Sequence, residues 1–118
     1  MGNTSGFVLR SENELTVYWA GDTIWCEAVG DVIEQNQPDI IITHSGGAVW
    51  GDNILIIMDA MQTITVCRTA PKAIVVATHM EALDFATVSR FDLRTLAEME
   101  GINPRQLVIP YDGEILTF

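Results

Sequence analysis

Three residues whose side chains can bind a metal ion each stand at the end of a predicted β-strand: Asp22, His44 and His79. The sequence contains only these two histidines. In open α/β sheets, ligands bind outside the carboxyl ends of the strands, so these side chains are expected to meet at one edge of a sheet. Carboxylate and neutral imidazole groups suit zinc or iron. The sequence therefore predicts a site for one divalent metal ion, with zinc as the expected metal.

Each of these residues also has an ordinary structural explanation. Asp22 and Thr23 precede a helical pattern, and Asp and Thr commonly cap the first turn of a helix. A histidine taken singly is more often a hydrogen-bonded loop residue than a ligand. Glu81 and Asp84 lie near His79 and can either orient its imidazole or belong to a solvated loop. For Asp22 the spacing alone favours capping, because helix caps are commoner than binding sites, and leaves metal binding open as the alternative.

Three predicted strands deliver the candidate ligands. Residues 16–19 are β-branched or aromatic, and neither face of this segment is charged. The apolar runs 39–43 and 73–78 are typical of parallel strands that are covered on both faces. Residues 7–10 are predicted to form a hairpin with the first of these strands, and residues 107–109 a second hairpin with 114–118.

Helical patterns alternate with these strands. An apolar stripe runs from Trp25 to Ile33. A second helix is predicted from Asn53, which can cap it, to about Val66. Ser89 and Asp92 have the spacing of a capping box at the start of a third helix. Strands that alternate with helices indicate an α/β fold.

The composition limits the partners of the protein. The 118 residues are enough for one domain, and 16 acidic residues against six basic ones give a formal net charge of −10. Neither nucleic acid nor an anionic membrane is expected to bind such a surface. No apolar run approaches the ~20 residues that span a bilayer, and residues 1–6 show no secretory signal. Cys26 and Cys67 lack metal-type spacing and are interpreted as reduced, buried thiols of a cytoplasmic protein.

Four motifs follow one another along nearly the whole chain. They are Gly6-Phe-Val-Leu with Val17-Tyr-Trp-Ala-Gly-Asp-Thr23, Pro38-Asp-Ile-Ile-Ile-Thr-His-Ser-Gly-Gly-Ala48, Ala77-Thr-His-Met-Glu-Ala82 with Ser89-Arg90, and Pro110-Tyr-Asp-Gly-Glu114. In this order they resemble the C-terminal half of metallo-β-lactamase-fold hydrolases, in the branch that contains the ascorbate-phosphate lactonase.

The resemblance implies roles for two of the candidate ligands. In that family, the residue matched by Asp22 bridges two metal ions and the residue matched by His79 binds the second. Family members more often have Asn at the position of His44, so the resemblance gives His44 no role. The family's His-x-His-x-Asp-His motif lies in the N-terminal half and is not among these residues. A two-metal hydrolytic site needs ions held on both sides, which one carboxylate and one imidazole cannot do.

The resemblance implies an α/β fold that is half of an αββα metallo-β-lactamase sandwich, with residues 1–118 as a single half-domain. Its mixed sheet would carry three helices on one face; the alternative is a small doubly wound sheet with helices on both faces. Two functions remain compatible with the sequence. One is a non-catalytic or incomplete half-domain that self-associates and binds one divalent metal. The other is a metal-dependent hydrolase that acts through a partner chain or a reduced site at Asp22, His44 and His79.

The expected partner is a second copy of the chain. In the complete fold of the family, the sheets of two halves pack face to face, and the halves are related by approximate two-fold symmetry. The corresponding face here, from strands such as 17–19, 40–42 and 74–76, would expose more apolar area than monomers usually do. We expect a homodimer through this face, with an N-terminal-half partner chain as the alternative occupant.

Overall fold

The computed structural model describes residues 6–52, 54–81 and 86–118. The strands are, in chain order, β1 (Phe7–Leu9), β2 (Val17–Gly21), β3 (Ile40–His44), β4 (Val49–Trp50), β5 (Ile54–Leu55), β6 (Ile74–Thr78) and β7 (Leu107–Val108). The helices are α1 (Glu27–Asn36), α2 (Ala60–Thr69) and α3 (Arg90–Met99). None of these helices is long and apolar enough to cross a bilayer.

Five of the strands form one mixed sheet in the order β1-β2-β3-β6-β7. β1 pairs antiparallel with β2, which confirms the first predicted hairpin, and the other three pairings are parallel. Parallel neighbours need a long crossover, and α1, α2 and α3 lie in those connections. The predicted mixed sheet is therefore confirmed.

One face of the sheet carries the core. Tyr18, Ile41, Val75 and Leu107 are register partners across four neighbouring strands, so their side chains share a face. All four are buried in one apolar cluster with residues from all three helices. The helices contribute Val29, Ile33, Ile64, Val66, Cys67, Leu93 and Ala97. The three helices thus cover one face, as predicted, and the doubly wound alternative is wrong for the described residues.

The other face of the sheet has no helix over it in the described parts of the chain. We call it the open face; its side chains are those of Phe7, Leu9, Val17, Trp19, Ile40, Ile42, Ile74, Val76 and Val108. Exposure is greatest at the β1 edge, where Phe7 is 56% and Leu9 61% exposed. This apolar face ends at the same sheet edge as the candidate metal ligands.

The start of α2 differs from the prediction. Residues 54–55 form β5, which pairs with β4, and the helix begins at Ala60. Asp59 caps it by accepting a hydrogen bond from the Gln62 amide at 2.9 Å, while the predicted cap, Asn53, lies outside the described residues. The apolar residues after position 53 were compatible with either period, and pairing with β4 selects the strand.

The predictions for the start of α3 and for the second hairpin have opposite outcomes. At α3, the Ser89 side chain accepts from the Asp92 amide and the Asp92 side chain accepts from the Ser89 amide, which confirms the capping box. The second hairpin is wrong. β7 pairs in parallel with β6 instead, and residues 114–118 form no strand. The chain turns at Tyr111, whose carbonyl accepts from the Glu114 amide at 3.1 Å, but it does not return along β7.

Candidate metal centre

The three predicted ligands come together at the carboxyl edge of the sheet. Asp22 follows β2, His44 is the last residue of β3, and His79 follows β6. Asp22 Oδ1 lies 2.5 Å from His44 Nδ1, and that nitrogen lies 3.1 Å from His79 Nδ1. The third side of the triangle, from Asp22 Oδ1 to His79 Nδ1, is 3.8 Å. The juxtaposition that the strand ends predicted is therefore present.

Two sides of this triangle, 3.1 and 3.8 Å, are near the ligand spacing around a small divalent ion, whereas the 2.5 Å side between Asp22 and His44 is a hydrogen bond that an ion would have to widen. A tetrahedral zinc ion with bonds of about 2.0 Å places its ligand atoms roughly 3.3 Å apart. The side chain of His44 is only 12% exposed, whereas those of His79 and Asp22 are 36% and 56% exposed. One imidazole is thus set into the protein, and the other two groups border solvent. Three converging protein ligands with an accessible side are typical of metal sites that keep a coordination position open.

Asp22 is not a helix cap. The cap of α1 is Cys26, four residues further along the chain, and it makes no side-chain capping bond. The Asp22 carboxylate is paired with His44 instead. A register irregularity between Trp19 and Gly21, and the positive φ of 74° at Gly21, turn the chain just before Asp22. The capping explanation that the sequence favoured is therefore wrong.

His79 has an unusual backbone. Its φ of 60° lies in the left-handed region, which residues other than glycine rarely adopt. Glu81 has the same conformation, with φ of 61°. Such conformations cluster at functional sites, where surrounding contacts hold them in place. The loop after β6 is thus one in which the fold, rather than local preference, sets the direction of the His79 side chain.

Close packing between two loops holds His44 and His79 together. The Ser45 amide donates to the Thr78 carbonyl at 2.9 Å. A Cβ atom at Gly46 would overlap the carbonyl oxygen of His79, so only glycine fits at this crossing. The Gly46 carbonyl also accepts from the amides of Thr87 and Val88 at 2.9 and 3.0 Å. Ser45-Gly46-Gly47 is accordingly a loop-to-loop contact, and no serine nucleophile is presented.

Buried hydroxyl groups lie next to His44 and hold its backbone in place. They were not predicted from the sequence. Thr43 and Ser45 flank His44, and their hydroxyl oxygens lie 2.7 Å apart. The Thr63 hydroxyl lies 2.7 Å from that of Ser45 and 2.9 Å from the Asp59 carbonyl. All three side chains are fully buried. Buried hydroxyls are generally hydrogen-bonded, and this series of hydrogen bonds connects the end of β3 to the first turn of α2. Two small polar residues beside an apolar strand were the available signal.

Arg90 holds the loop that follows β6, which contains His79 and Glu81, in place. Its guanidinium pairs with Glu81 and, at 2.6 Å, with Asp112, while Nε donates to the Pro110 carbonyl at 2.9 Å. The hydrogen bond that Arg90 donates to the Glu81 carboxylate, and to a smaller extent the one it donates to Asp112, raises the pKa of Arg90 above its ordinary value. Glu81 is thus occupied by Arg90 and does not orient the imidazole, and Asp84 lies outside the described residues. The Ser89-Arg90 pair in the motifs was the signal for this residue.

Aromatic rings border the cluster on the open face. The Trp19 ring stands edge-on to the His44 imidazole, with centroids 5.6 Å apart, and Phe7 stacks on Trp19 at 5.5 Å.

Both cysteines are free: Cys26 is half-buried and Cys67 is buried. Burial raises the pKa of the Cys67 thiol to about 11, so it stays protonated at neutral pH. Neither cysteine belongs to the metal cluster found among the described residues.

The chain matches no protein-family model. Among curated proteins, the UPF0173 protein YddR of Bacillus subtilis (strain 168) is 35% identical over 118 residues, which are 100% of this chain and 46% of YddR. The chain thus spans about half the length of the curated relative that it matches.

Solved structures give the same picture. The isothiocyanate hydrolase from Delia radicum gut bacteria superposes with a TM-score of 0.92 at 32% identity, over 99% of this chain and 44% of that one. A possible metal-dependent hydrolase from Veillonella parvula DSM 2008 gives 0.92 at 30% identity, over 99% and 45%. The metallo-β-lactamase-fold protein YhfI from Bacillus subtilis gives 0.61 at 14% identity, over 88% and 39%, which shows the fold alone.

These similarities confirm the resemblance that the motifs indicated. The chain has the C-terminal half of a metallo-β-lactamase fold. The two solved structures reported above at 30% identity or more are an isothiocyanate hydrolase and a possible metal-dependent hydrolase.

Proposed function

We propose that this chain is the metal-binding half of a hydrolase fold and that Asp22, His44 and His79 hold one divalent ion, with zinc the expected metal. The observation that carries the proposal is the convergence of a carboxylate and two imidazoles whose ligand atoms all lie within 4.8 Å of one another. The similarity to hydrolases supports it. Binding is expected to be weak or partial, because the cluster offers three ligands and two of them border solvent.

The ion would supply Lewis acidity for a hydrolytic reaction. The described residues hold it from one side only, so we propose that the chain by itself has no appreciable turnover. A second unit on the open face is well placed to complete the site. His44 continues the row of alternate side chains formed by Ile40 and Ile42, and therefore stands at the edge of that face.

Calorimetric titration of the purified chain with zinc chloride tests the site. We expect about one equivalent to bind, and Asp22→Asn and His79→Ala to lose most of the affinity. Asp31→Asn, an exposed carboxylate on α1, is the matched control and should bind as the unchanged chain does. Stoichiometric binding that survives His79→Ala would remove this residue from the site. Absence of binding at every practical zinc concentration would support a purely interacting half-domain.

We propose that a second copy of the chain covers the open face. Burying ~500 Å² of apolar area on each of two chains at ~25 cal/mol/Å² contributes ~25 kcal/mol gross. The estimated cost of association is ~4–15 kcal/mol, so dimer formation is favoured. The most exposed apolar side chains of this face are those of Phe7 and Leu9, at 56% and 61%, whereas Ile40 and Val76 are only 6% exposed.

Multi-angle light scattering at micromolar concentration tests the dimer. We expect twice the 13.0 kDa chain mass. Ile42→Asp places a charge on the open face and should give monomers, whereas Ile115→Asp, at a position 90% exposed outside that face, should leave the dimer intact. A stable 13.0 kDa monomer of the unchanged chain would contradict self-association.

The lengths of the relatives favour a second candidate, a hydrolase in which another segment or chain covers the open face. The chain spans only 44% and 45% of the two hydrolases that it matches. Assays with phosphate esters, lactones, β-lactams and isothiocyanates in the presence of zinc test whether the chain is catalytic by itself. We expect no turnover by the purified chain. A metal-dependent rate that disappears with Asp22→Asn would show that the three-residue site is itself catalytic.

A further inference from the structure

A cavity of about 460 Å³ opens beside the metal cluster. Its lining residues are Thr23, Ile24, Trp50, Ile54, Leu55 and Ile56. Thr23 directly follows the candidate ligand Asp22, and consecutive Cα atoms are about 3.8 Å apart. The other wall is the β4–β5 hairpin, which the chain enters directly after the His44 loop. Both walls of the cavity are thus continuations of strand ends that carry metal ligands.

Backbone hydrogen bonds fix the hairpin to the His44 loop. The Ile56 amide donates to the Ala48 carbonyl at 2.9 Å, and the Gly47 amide donates to the Met58 carbonyl at 2.9 Å. The Met58 amide donates in turn to the carbonyl of His44 itself at 3.2 Å. The cavity and the cluster therefore belong to one connected framework, and a molecule bound in the cavity keeps a fixed relation to the cluster.

The chemistry of the lining selects the occupant. None of the six residues is charged. Thr23 carries the one polar side chain among them, and its hydroxyl already donates to the Ile24 carbonyl at 3.0 Å. Trp50 and Ile54 present large apolar surfaces, 71% and 64% exposed. With a formal net charge of −10 on the chain and no cation among the described lining residues, those residues offer an anionic group no charged partner.

We infer that this cavity binds the uncharged apolar part of a substrate, an aryl or branched alkyl group, with the hydrolysable group directed to the metal cluster. The volume lies in the ~300–1,000 Å³ range of small-molecule sites. That the bound molecule is a substrate rests on the proposed function. The existence of an apolar binding site does not depend on it. A phosphorylated ligand, of the kind implied by the ascorbate-phosphate branch, is disfavoured at this position.

Methyl-group NMR of the purified, zinc-loaded chain tests the cavity, with 4-methylbenzyl alcohol as the neutral probe and 4-methylbenzoate as its anionic counterpart. We expect the alcohol to shift the methyl signals of Ile24, Ile54 and Ile56 but not that of Ile115, and to bind at least tenfold more tightly than the carboxylate. Trp50→Ala should weaken the alcohol at least fivefold. Phe91→Ala removes an equally exposed aromatic ring on α3 and should change nothing.

Three outcomes decide the inference. Equal affinity for the two probes, or shifts that include Ile115, would overturn it. A probe site that persists when the chain binds no zinc would keep the apolar cavity and reject the metal-site proposal. Unchanged zinc affinity in Trp50→Ala, together with weakened probe binding, would support both and show that the two sites are separate contacts on one framework.

Discussion

The two faces of the sheet are formed by the same strands but differ in how deeply their side chains are buried. On the helix-covered face, Ile41, Val75 and Leu107 are fully buried. On the open face, Ile42, Ile74 and Val108 are only partly buried, although Ile40 and Val76 are buried, at 6% exposure each. Nevertheless both faces carry β-branched and aliphatic residues along β3 and β6, apart from His44 at the end of β3. If one face of the sheet met only water, each strand would be expected to alternate apolar residues on the covered face with polar residues on the other. The composition of the strands therefore anticipates a second layer that the described residues do not provide.

The largest difference between the faces is expected in stability. Ile41→Ala removes a fully buried side chain and leaves a cavity, so the free energy of unfolding should fall by about 2–5 kcal/mol. Ile42→Ala, the same substitution one residue along on the open face, should cost less than about 1.5 kcal/mol in the monomer, because its side chain already meets solvent.

Urea unfolding at a protein concentration low enough to give monomers measures both variants. Equal losses would mean that the open face is as well packed as the covered face. That result would also remove the motive for a second layer.

The covered face should also respond to alkaline pH through Cys67. Burial raises the pKa of this thiol from 9.0 to about 11 in the folded protein, so well below pH 9 the thiol is protonated in both states and no stability is lost. As the pH rises towards 11, the unfolded chain ionises first and stability falls, by about 2–3 kcal/mol. Urea unfolding from pH 8 to 11 should show this slope in the unchanged protein and in Cys26→Ala. Cys67→Ala should show a smaller slope, because burial also raises the pKa of Tyr18. An undiminished slope in Cys67→Ala would assign the whole effect to other groups.

The smallest expected effect concerns how the helix layer is built. Ser89→Ala breaks the capping box of α3 and should lower the free energy of unfolding by about 1 kcal/mol. Ser11→Ala, an exposed serine in the β1–β2 turn, is the control and should be neutral within about 0.5 kcal/mol. Thermal unfolding followed by circular dichroism measures both. No difference between them would mean that packing of Leu93 and Ala97 alone positions the helix.

The sequence was informative wherever a residue type and a local period agreed. The parallel strands, the capping box at Ser89 and the meeting of Asp22 with both histidines could be predicted, because strand ends on one edge must lie close together. Residues 54–55 could not, since their apolar run fits a helix or a strand until the partner β4 is known.

The supports of the site were also beyond the sequence. The fit of Gly46 against His79 and the ion pair between Arg90 and Asp112 join segments more than 20 residues apart, and no local pattern encodes such contacts. The hydroxyl chain through Thr43, Ser45 and Thr63 likewise depends on the packing of α2 under the His44 loop. The ligands could be read from one strand at a time, whereas their positioning arises from the whole fold.

X-ray absorption at the zinc edge of the loaded chain tests the central claim most directly. The account predicts two imidazole nitrogens and carboxylate oxygen at about 2.0–2.1 Å, with outer-shell scattering from two histidine rings. His79→Ala should reduce that scattering to one ring. A spectrum without histidine scattering, or one with sulfur at about 2.3 Å from Cys26, would contradict a metal site formed by Asp22, His44 and His79.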